Sequence, residues 1–323
     1  MNRSQKKIFY LGEGNSQVGM GHISRLIAVS MQLKNCGTHT FCILNPDKAV
    51  NNILHKQKYI KIEPLVDYFQ FFENNQDFDL LIMDGYNFPD SFFSMLNLKT
   101  GKVIYIDDLN EKNLPVDIII NHTEGYLEED YKALTSTLFF LGYDYAILRY
   151  SFFKSVKKRK INKIETIFIS LGMSNSNNLL DDLVTLVLKC FVNVNVLILR
   201  GNNIISMKNE INTRTYLLPH LSAEELCRVL DKVELAIVPV STLYLEAMAR
   251  NINVAGGYFV ENQEVVYNKL KGKKIIYELG DFRDLDEIKL KKMIKNLENN
   301  LPIKIDNQLG KGWAKIEELI FKM

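Results

Sequence analysis

A chain of 323 residues is long for one ordinary core and predicts two domains of about 150 residues each. Its composition, 47% hydrophobic and 24% charged residues, is that of a globular protein, and a net charge of +2 gives no indication of a nucleic-acid partner. No apolar run is long enough to cross a bilayer, and Ile8–Leu11 is too short for a secretory signal core. We therefore expect a cytoplasmic protein without stable membrane insertion.

The four cysteines show neither C-x-x-C spacing nor a nearby histidine pair. Such cysteines are typical of free thiols in a reducing compartment and predict neither a disulfide framework nor a zinc site. We expect no metal and no cofactor.

Short apolar runs alternate with segments of helical periodicity along most of the chain. The first half predicts strands at Ile8–Leu11, His39–Leu44, Leu80–Asp84, Val103–Asp107 and Ile118–Asn121, with a helix at Ile23–Leu33. The second half predicts strands at Thr166–Leu171, Val194–Leu199, Leu235–Val240 and Ile252–Tyr258, with helices at Leu179–Phe191, Ala223–Val233 and Thr242–Arg250. Ser222 and Glu225 form the pattern of a capping box.

This alternation predicts the α/β class, with a parallel sheet in each half and two Rossmann-like domains facing each other across a cleft. We place the N-terminal domain at 1–150, a basic linker at 151–163 and the C-terminal domain at 164–323. The last helix of that range can pack back on the N-terminal domain. A cluster of basic residues in the linker is best interpreted as a solvated segment: Lys154, Lys157, Lys158, Arg159, Lys160 and Lys163.

A glycine-bearing loop follows the first strand and ends at His22, where a helix begins. Open parallel sheets bind ligands beyond the carboxyl ends of their strands, and a helix start offers free N–H groups. The spacing is not that of a dinucleotide G-x-G-x-x-G turn, so NAD binding is not supported. At a helix start the dipole disfavours the imidazolium form, which leaves His22 able to accept a proton. A capping or packing role for His22 fits the spacing equally well.

Polar residues also follow later strands of the first half. Asp84, Gly85 and Tyr86 follow one strand, Asp107 and Asp108 the next, and Asn121 closes a third. Singly, such residues often only cap a loop or a helix. Because they collect at the sheet edge that holds His22, they predict a polar site there.

In the second half, the strongest signal is the strand-to-helix junction at Ser241 and Thr242. Hydroxyl groups beside the free N–H groups of a helix start suit a diphosphate, and Glu246, one turn inward, suits a ribose diol. Gly172 ends another strand in a possible phosphate turn, and Asn262 and Gln263 open a further helix. The alternative is an ordinary helix cap with a surface glutamate.

Taken in order, these residues resemble the UDP-sugar hydrolases of pseudaminic acid biosynthesis, which share the glycosyltransferase-B architecture. The resemblance begins with a G-x-G-H-x-x-R motif at Gly19, Gly21, His22 and Arg25, preceded by Gln17, and spans nearly the whole chain. It continues through Asp84-Gly85-Tyr86, Asp107-Asp108, Asn121, Gly142–Arg149, Leu171-Gly172, Ser241, Glu246-Ala247, Asn262-Gln263-Glu264 and Gly310-Lys311-Gly312.

The resemblance implies release of UDP from a diacetamido-trideoxyhexose with inversion at C1, without a metal ion. It implies that His22 is the base that activates water. The implied sugar-side residues are Gln17, Gly19, Gly21, Arg25, Asp84, Tyr86, Asp108, Asn121 and Tyr145. The implied nucleotide-side residues are Gly172, Ser241, Thr242, Glu246, Asn262 and Gln263.

The chain departs from the family pattern at two places where a ligand could touch. Glu13 stands where the family usually has an aspartate, and Met173, Ser174 and Asn175 follow Gly172 in place of a second glycine and an aspartate. These departures leave the sugar and the base open.

Three alternative functions remain open at this point: a glycosyltransferase of the same architecture, a non-catalytic nucleotide-sugar binding protein, and a UDP-sugar 2-epimerase. The first would use an acceptor hydroxyl in place of water. The second would not need His22, and the third would need further acid and base groups. The oligomeric state is also open.

Overall fold

The computed structural model describes residues 6–15, 20–75, 77–96, 101–154, 161–172, 177–200, 214–299 and 309–322. Contacts between residues divide the chain into two compact units. The first comprises Met1–Arg149 with Gln308–Met323, and the second comprises Tyr150–Asn307.

The first unit is built on a seven-stranded sheet whose strands are all parallel, in the order β3-β2-β1-β4-β5-β7-β9. Its strands are β1 (Lys6–Glu13), β2 (Gly37–Leu44), β3 (Ile60–Leu65), β4 (Leu80–Asp84), β5 (Lys102–Ile106), β7 (Ile118–Asn121) and β9 (Leu138–Leu141). Two short strands, β6 (Asn113–Leu114) and β8 (Lys132–Ala133), pair with each other separately.

The first unit contains α1 (Gly21–Gln32), α2 (Lys48–His55), α3 (Gln70–Asn74), α4 (Asp90–Leu96) and α10 (Trp313–Lys322). Short 3-10 turns occupy Glu128–Asp130 and Tyr143–Tyr145. One core cluster is rich in aromatic rings, with Phe71, Phe88 and Phe92 among its fully buried members. Large rings remove much apolar area from water, so this cluster stabilises the strand framework on which the site residues stand.

The second unit has a six-stranded parallel sheet in the order β12-β11-β10-β13-β14-β15. Its strands are β10 (Thr166–Ile169), β11 (Asn195–Leu199), β12 (Thr215–Leu218), β13 (Leu235–Pro239), β14 (Asn253–Tyr258) and β15 (Tyr277–Asp281). Its helices are α5 (Asn177–Cys190), α6 (Ala223–Leu230), α7 (Thr242–Ala249), α8 (Glu261–Leu270) and α9 (Glu287–Asn299), with 3-10 turns at Tyr150–Phe153 and Phe282–Asp284.

The predicted α/β class is confirmed, because each unit is a parallel sheet with helices between its strands. All nine predicted strands are present with ends shifted by at most two residues. The capping box is also present: the Ser222 hydroxyl accepts from the Glu225 N–H, and the Glu225 carboxylate accepts from the Ser222 N–H.

The last helix is part of the first unit. The Trp313 indole N–H donates to the carbonyl of Ala146 over 2.9 Å, and the Gly312 N–H donates to the carbonyl of Asp144 over 2.6 Å. At the predicted linker, the 3-10 turn Tyr150–Phe153 packs against α6 and α7 in the second unit. Most of the basic cluster, residues 155–160, lies outside the described residues.

Candidate active site

The start of α1 brings His22 and Arg25 to the carboxyl edge of the first sheet. The two residues are three apart on the helix and therefore share a face. The helix can lie close to β1 because Gly12 has no side chain. A Cβ at Gly12 would lie 2.6 Å from the Leu26 Cδ1 atom and 3.0 Å from the Asp84 carbonyl oxygen. Close packing thus places His22 beside the end of β4.

Asp84, the last residue of β4, binds both of these side chains. His22 Nδ1 lies 2.7 Å from Asp84 Oδ1. Arg25 holds the same carboxylate in a fork, with Nη2 donating to Oδ1 over 2.7 Å and Nε donating to Oδ2 over 2.8 Å. Asp84 is 0% exposed, and the buried Arg25 guanidinium compensates its charge.

This geometry selects one tautomer of His22. A carboxylate can only accept, so an Nδ1 atom 2.7 Å from Asp84 Oδ1 must carry the proton. Arg25 Nη2 also lies 2.9 Å from Nδ1, and one of its two hydrogens is accepted by Asp84 Oδ1. An Nδ1 atom that carries a proton has no lone pair left in the ring plane to accept the other. The neutral ring therefore has its lone pair on Nε2. Within the described part of the chain, no hydrogen bond to Nε2 is found.

Asp108, which follows β5, completes the charge cluster. Its Oδ2 accepts from Arg25 Nη1 over 2.5 Å and from the Tyr86 hydroxyl over 3.0 Å. Burial tends to raise the pKa of this carboxyl, but the charge and hydrogen bond of Arg25 outweigh it and hold the pKa below its ordinary value. The other oxygen, Oδ1, is buried and has no hydrogen-bond partner among the described residues. An unsatisfied buried acceptor is a natural place for a ligand donor or a water molecule.

Tyr86 links the two sides of this cluster. Its ring meets the His22 ring edge-on, with the centroids 4.5 Å apart and the planes at 82°. Its hydroxyl donates to Asp108, so the Tyr86 side chain contacts both His22 and Asp108. The structure thus brings five of the predicted residues into one connected cluster: His22, Arg25, Asp84, Tyr86 and Asp108.

Three other predicted sugar-side residues lie in different surroundings. Both polar atoms of the Asn121 side chain are used within the protein, since Oδ1 accepts from the Thr123 N–H and Nδ2 donates to the Tyr131 hydroxyl, each over 2.8 Å. Tyr145 packs against the Phe140 ring and against Gly312, where a Cβ would lie 2.4 Å from the Tyr145 ring. Gly21 is the first residue of α1.

Two further predictions, Gln17 and Gly19, lie outside the described residues.

Glu13, which was expected where a ligand could touch, is bound by the protein itself. It is 5% exposed, and its carboxylate accepts hydrogen bonds from the protein itself, among them the N–H groups of Tyr86 and Asn87. The reason is the length of β1, which continues through Glu13 and carries the side chain into the packed layer beside β4.

His122 belongs to this region but is not among the predicted site residues. It directly follows β7, and its Nδ1 accepts from the Ile147 N–H over 3.3 Å. Burial and then the nearby Arg25 charge lower its pKa to about 4, so the ring is neutral near pH 7. The signal available in the sequence was its place directly after Asn121, at the same strand edge.

Asp107, the neighbour of Asp108, serves the loop after β5. Its carboxylate accepts from the N–H groups of Leu109 and Asn110 over 3.3 and 3.0 Å. Burial, and then the charge of Asp108, raise the pKa of Asp107 to about 6.

In the second unit, the predicted nucleotide residues gather at strand ends of the second sheet. Ser241 precedes α7 in extended backbone, and its hydroxyl makes no capping hydrogen bond. Thr242 is the first residue of α7, and Glu246 lies one turn further along the same face, 2% exposed. The first N–H groups of an α-helix have no partner within the helix. The Ser241 N–H donates to the Pro239 carbonyl and the Tyr244 N–H to the Ser241 carbonyl, so the amide donors beside the hydroxyls are those of Thr242 and Leu243.

The other three candidates follow neighbouring strands. Gly172 follows β10 with φ +81°, a left-handed conformation that glycine adopts without strain. Asn262 and Gln263 lie in the first turn of α8, and Gln263 Oε1 accepts from the Phe259 N–H over 3.2 Å. The departures at Met173, Ser174 and Asn175 lie outside the described residues.

Two features are absent from the described residues. No group of three or more His, Cys, Asp or Glu side chains is placed to hold a metal ion there. No helix in the described ranges is long and apolar enough to cross a membrane.

Solved structures identify the fold as glycosyltransferase-B. The spinosyn rhamnosyltransferase SpnG complexed with thymidine diphosphate matches with a TM-score of 0.65 at 11% identity, covering 98% of this chain and 96% of that one. Acinetobacter baumannii MurG matches with a TM-score of 0.60 at 13% identity, covering 98% and 100%. At these identities the likeness concerns the fold alone.

A curated sequence relative gives the more particular likeness. The chain is 22% identical over 278 residues to the UDP-2,4-diacetamido-2,4,6-trideoxy-beta-L-altropyranose hydrolase of Campylobacter jejuni, covering 84% of this chain and 99% of that protein. No protein-family model matches the chain. The resemblance to the UDP-sugar hydrolases, on the glycosyltransferase-B fold, is thereby confirmed.

Proposed function

We propose that this protein hydrolyses a UDP-linked diacetamido-trideoxyhexose to free sugar and UDP, with inversion at C1, in the synthesis of pseudaminic acid or a related surface glycan. The hydrolase relative supports the reaction class, and the substrate for which it is named supports the sugar. The observation that carries the proposal is the pair of His22 and Asp84, which leaves Nε2 of a buried imidazole as the proton acceptor.

In this mechanism, Nε2 of His22 takes a proton from water as the water oxygen forms a bond to C1 of the sugar. The C1–O bond to the β-phosphate breaks, and its electron pair leaves with UDP. Attack from the face opposite the leaving group gives inversion. Asp84 keeps the ring oriented and stabilises the positive charge that it gains.

The sugar is proposed to contact the first unit through Tyr86 and through Oδ1 of Asp108, which has no hydrogen-bond partner among the described residues. That oxygen is a buried acceptor, and an acetamido N–H or a sugar hydroxyl is the kind of donor that it would receive. Arg25 holds both carboxylates in place.

The nucleotide is proposed to bind the second unit. The helix start at Ser241 and Thr242 would take up charge on the departing diphosphate, and Glu246 would accept from the ribose hydroxyls. Gly172, Asn262 and Gln263 complete the proposed nucleotide contacts. UDP is a good leaving group in this arrangement, so we propose turnover without a metal ion.

A glycosyl transfer reaction is the second candidate, because the solved structures of similar fold are glycosyltransferases. In that reaction an acceptor hydroxyl would replace water, and His22 would deprotonate the acceptor. The two reactions differ in one observable, which is whether UDP is released when no acceptor is present.

The test is UDP release from a panel of UDP- and CDP-linked amino sugars, without acceptor and with or without EDTA. His22→Asn should lower turnover by about two to four decades, the usual contribution of a general base, while UDP affinity stays unchanged. His55→Asn, the same change at an exposed histidine in α2, is the matched control and should turn over normally. Near-normal turnover of His22→Asn would contradict the assignment, and EDTA-sensitive turnover would contradict metal independence.

A further inference from the structure

Tyr86 lies in a segment without regular structure between β4 and α4, and side chains from two other elements hold its backbone. Backbone groups outside a sheet or helix need other hydrogen-bond partners when they are buried. Here the partners are Glu13, from the end of β1, and Lys112, from the loop before β6.

Glu13 binds the N–H side of the segment. Its Oε1 accepts from the Tyr86 N–H over 2.8 Å and from the Asn87 N–H over 3.3 Å. Its Oε2 accepts from Asn87 Nδ2 over 2.9 Å and from the Tyr68 hydroxyl over 3.1 Å. Two donors therefore meet each oxygen of a buried carboxylate, which makes this a fully hydrogen-bonded charge.

Lys112 binds the carbonyl side of the same segment. Its Nζ donates to the carbonyl of Tyr86 over 2.5 Å and to that of Phe88 over 2.9 Å. The N–H of Tyr86 is thus held by a carboxylate and its C=O by an ammonium group. Gly85 makes room for this arrangement, since a Cβ there would lie 3.1 Å from Glu13 Oε1 and 3.2 Å from the Phe88 ring.

We propose that Glu13 and Lys112 are positioning residues that fix Tyr86 against His22 and Asp108, a role that rests on the function proposed above. The side chain of Tyr86 meets His22 at 4.5 Å between ring centroids and donates to Asp108 Oδ2. With Arg25 it occupies that oxygen and leaves Oδ1 open. Movement of the segment would therefore disturb both His22, the proposed base, and Asp108, whose Oδ1 is the proposed acceptor for the sugar.

The first test measures amide hydrogen exchange in a peptide spanning residues 85–88 of the full-length protein. Glu13→Ala and Lys112→Met should each speed exchange in this peptide by at least about tenfold. Glu13→Ala removes the acceptor of two N–H groups, whereas Lys112→Met releases two carbonyls and so lets the segment open more often. Glu63→Ala is the matched control. Glu63 is a glutamate of β3 whose partners are Cys42 and Asn75, and its loss should leave the peptide unchanged. Unchanged exchange in Lys112→Met would overturn the proposal, and this partly exposed lysine decides alone if Glu13→Ala does not fold.

The second test uses kinetics to separate positioning from general stability. Lys112→Met should lower kcat by roughly 10- to 100-fold, the cost of a misplacement near 1 Å, with KM changed less than about threefold. Glu13→Gln keeps an oxygen to face the two N–H groups, so it should recover most of the activity that Glu13→Ala loses.

A double-mutant cycle completes the test. In a Tyr86→Ala background, Lys112→Met should change kcat by less than about twofold, because its effect passes through Tyr86. Full additivity would overturn the proposal. If the unmodified protein releases no UDP at all, the proposed function fails, whereas the exchange result still decides the positioning role.

Discussion

Nδ1 of His22 lies 2.7 Å from Oδ1 of Asp84, at the meeting point of the first turn of α1 and the end of β4. A residue at a helix start and a residue 62 positions later are thus joined by one buried hydrogen bond. This contact sets which ring nitrogen can accept a proton, and the proposed chemistry depends on it.

The first prediction concerns Asp84→Asn. An amide can present an N–H to Nδ1, which would favour the opposite tautomer and place the proton on Nε2. We expect kcat to fall by about two to four decades with UDP affinity unchanged, as happens when the aspartate of a His–Asp pair is made neutral. Asp67→Asn is the control, since Asp67 lies in an exposed turn and accepts from the N–H groups of Phe69 and Gln70. Equal kcat for Asp84→Asn and the unmodified protein would show that the pair does not set the tautomer.

The second prediction concerns the dependence of stability on pH. The pKa of His122 is lowered to about 4 in the folded protein, so between about pH 6.5 and 4 the unfolded chain binds more protons and stability falls as pH falls. The pKa of Asp107 is raised to about 6, so between about pH 6 and 4 the folded protein binds more protons and stability rises as pH falls. The two effects oppose each other over nearly the same interval.

Removing one of the two titrating groups should therefore expose the pH-dependent stability contribution of the other. Going from pH 7 to pH 4, His122→Asn should gain stability relative to the unmodified protein, and Asp107→Asn should lose it, each by on the order of 3 kcal/mol. Urea unfolding midpoints measured across this range test the prediction. Parallel curves for both variants and the unmodified protein would contradict it.

The sequence predicted the inner strands of both sheets and missed the outer ones. The four long strands that were not predicted are β3, β9, β12 and β15, and these are the edge strands of the two sheets. Inner strands are covered on both faces and are apolar throughout, which is the pattern used to find them. An edge strand such as β3 is only partly buried and includes Lys61, Glu63 and Pro64, so its composition resembles that of a loop.

The location of the candidate site could be predicted from the sequence, but the hydrogen bonds among its side chains could not. Polar residues after parallel strands indicate one sheet edge, and that interpretation collected His22, Asp84 and Asp108. Their pairing through Arg25, which reaches Asp108 across 83 positions, depends on side-chain geometry that spacing does not encode. The burial of Glu13 was missed for a different reason, because the strand was predicted to end at Leu11, two residues before its end in the structure.

The third prediction concerns Glu246→Ala in the second unit. If the carboxylate accepts from the ribose hydroxyls, its loss should weaken UDP binding by about 1–3 kcal/mol, measured by calorimetry. Glu224→Ala is the control, because the Glu224 side chain is 61% exposed and pairs with Lys154 at the surface. Unchanged UDP affinity in Glu246→Ala would move the nucleotide to another strand end, most directly to the turn at Gly172.

The measurement that tests the central claim most directly is hydrolysis of the UDP-sugar in ¹⁸O-labelled water without any acceptor. If His22 activates water for attack at C1, the label enters the sugar, the inverted anomer appears first, and the released UDP carries no label. Label in the UDP phosphate would mean attack at phosphorus, in which His22 could not act as proposed. Release of UDP only after an acceptor is added would contradict hydrolysis and establish glycosyl transfer.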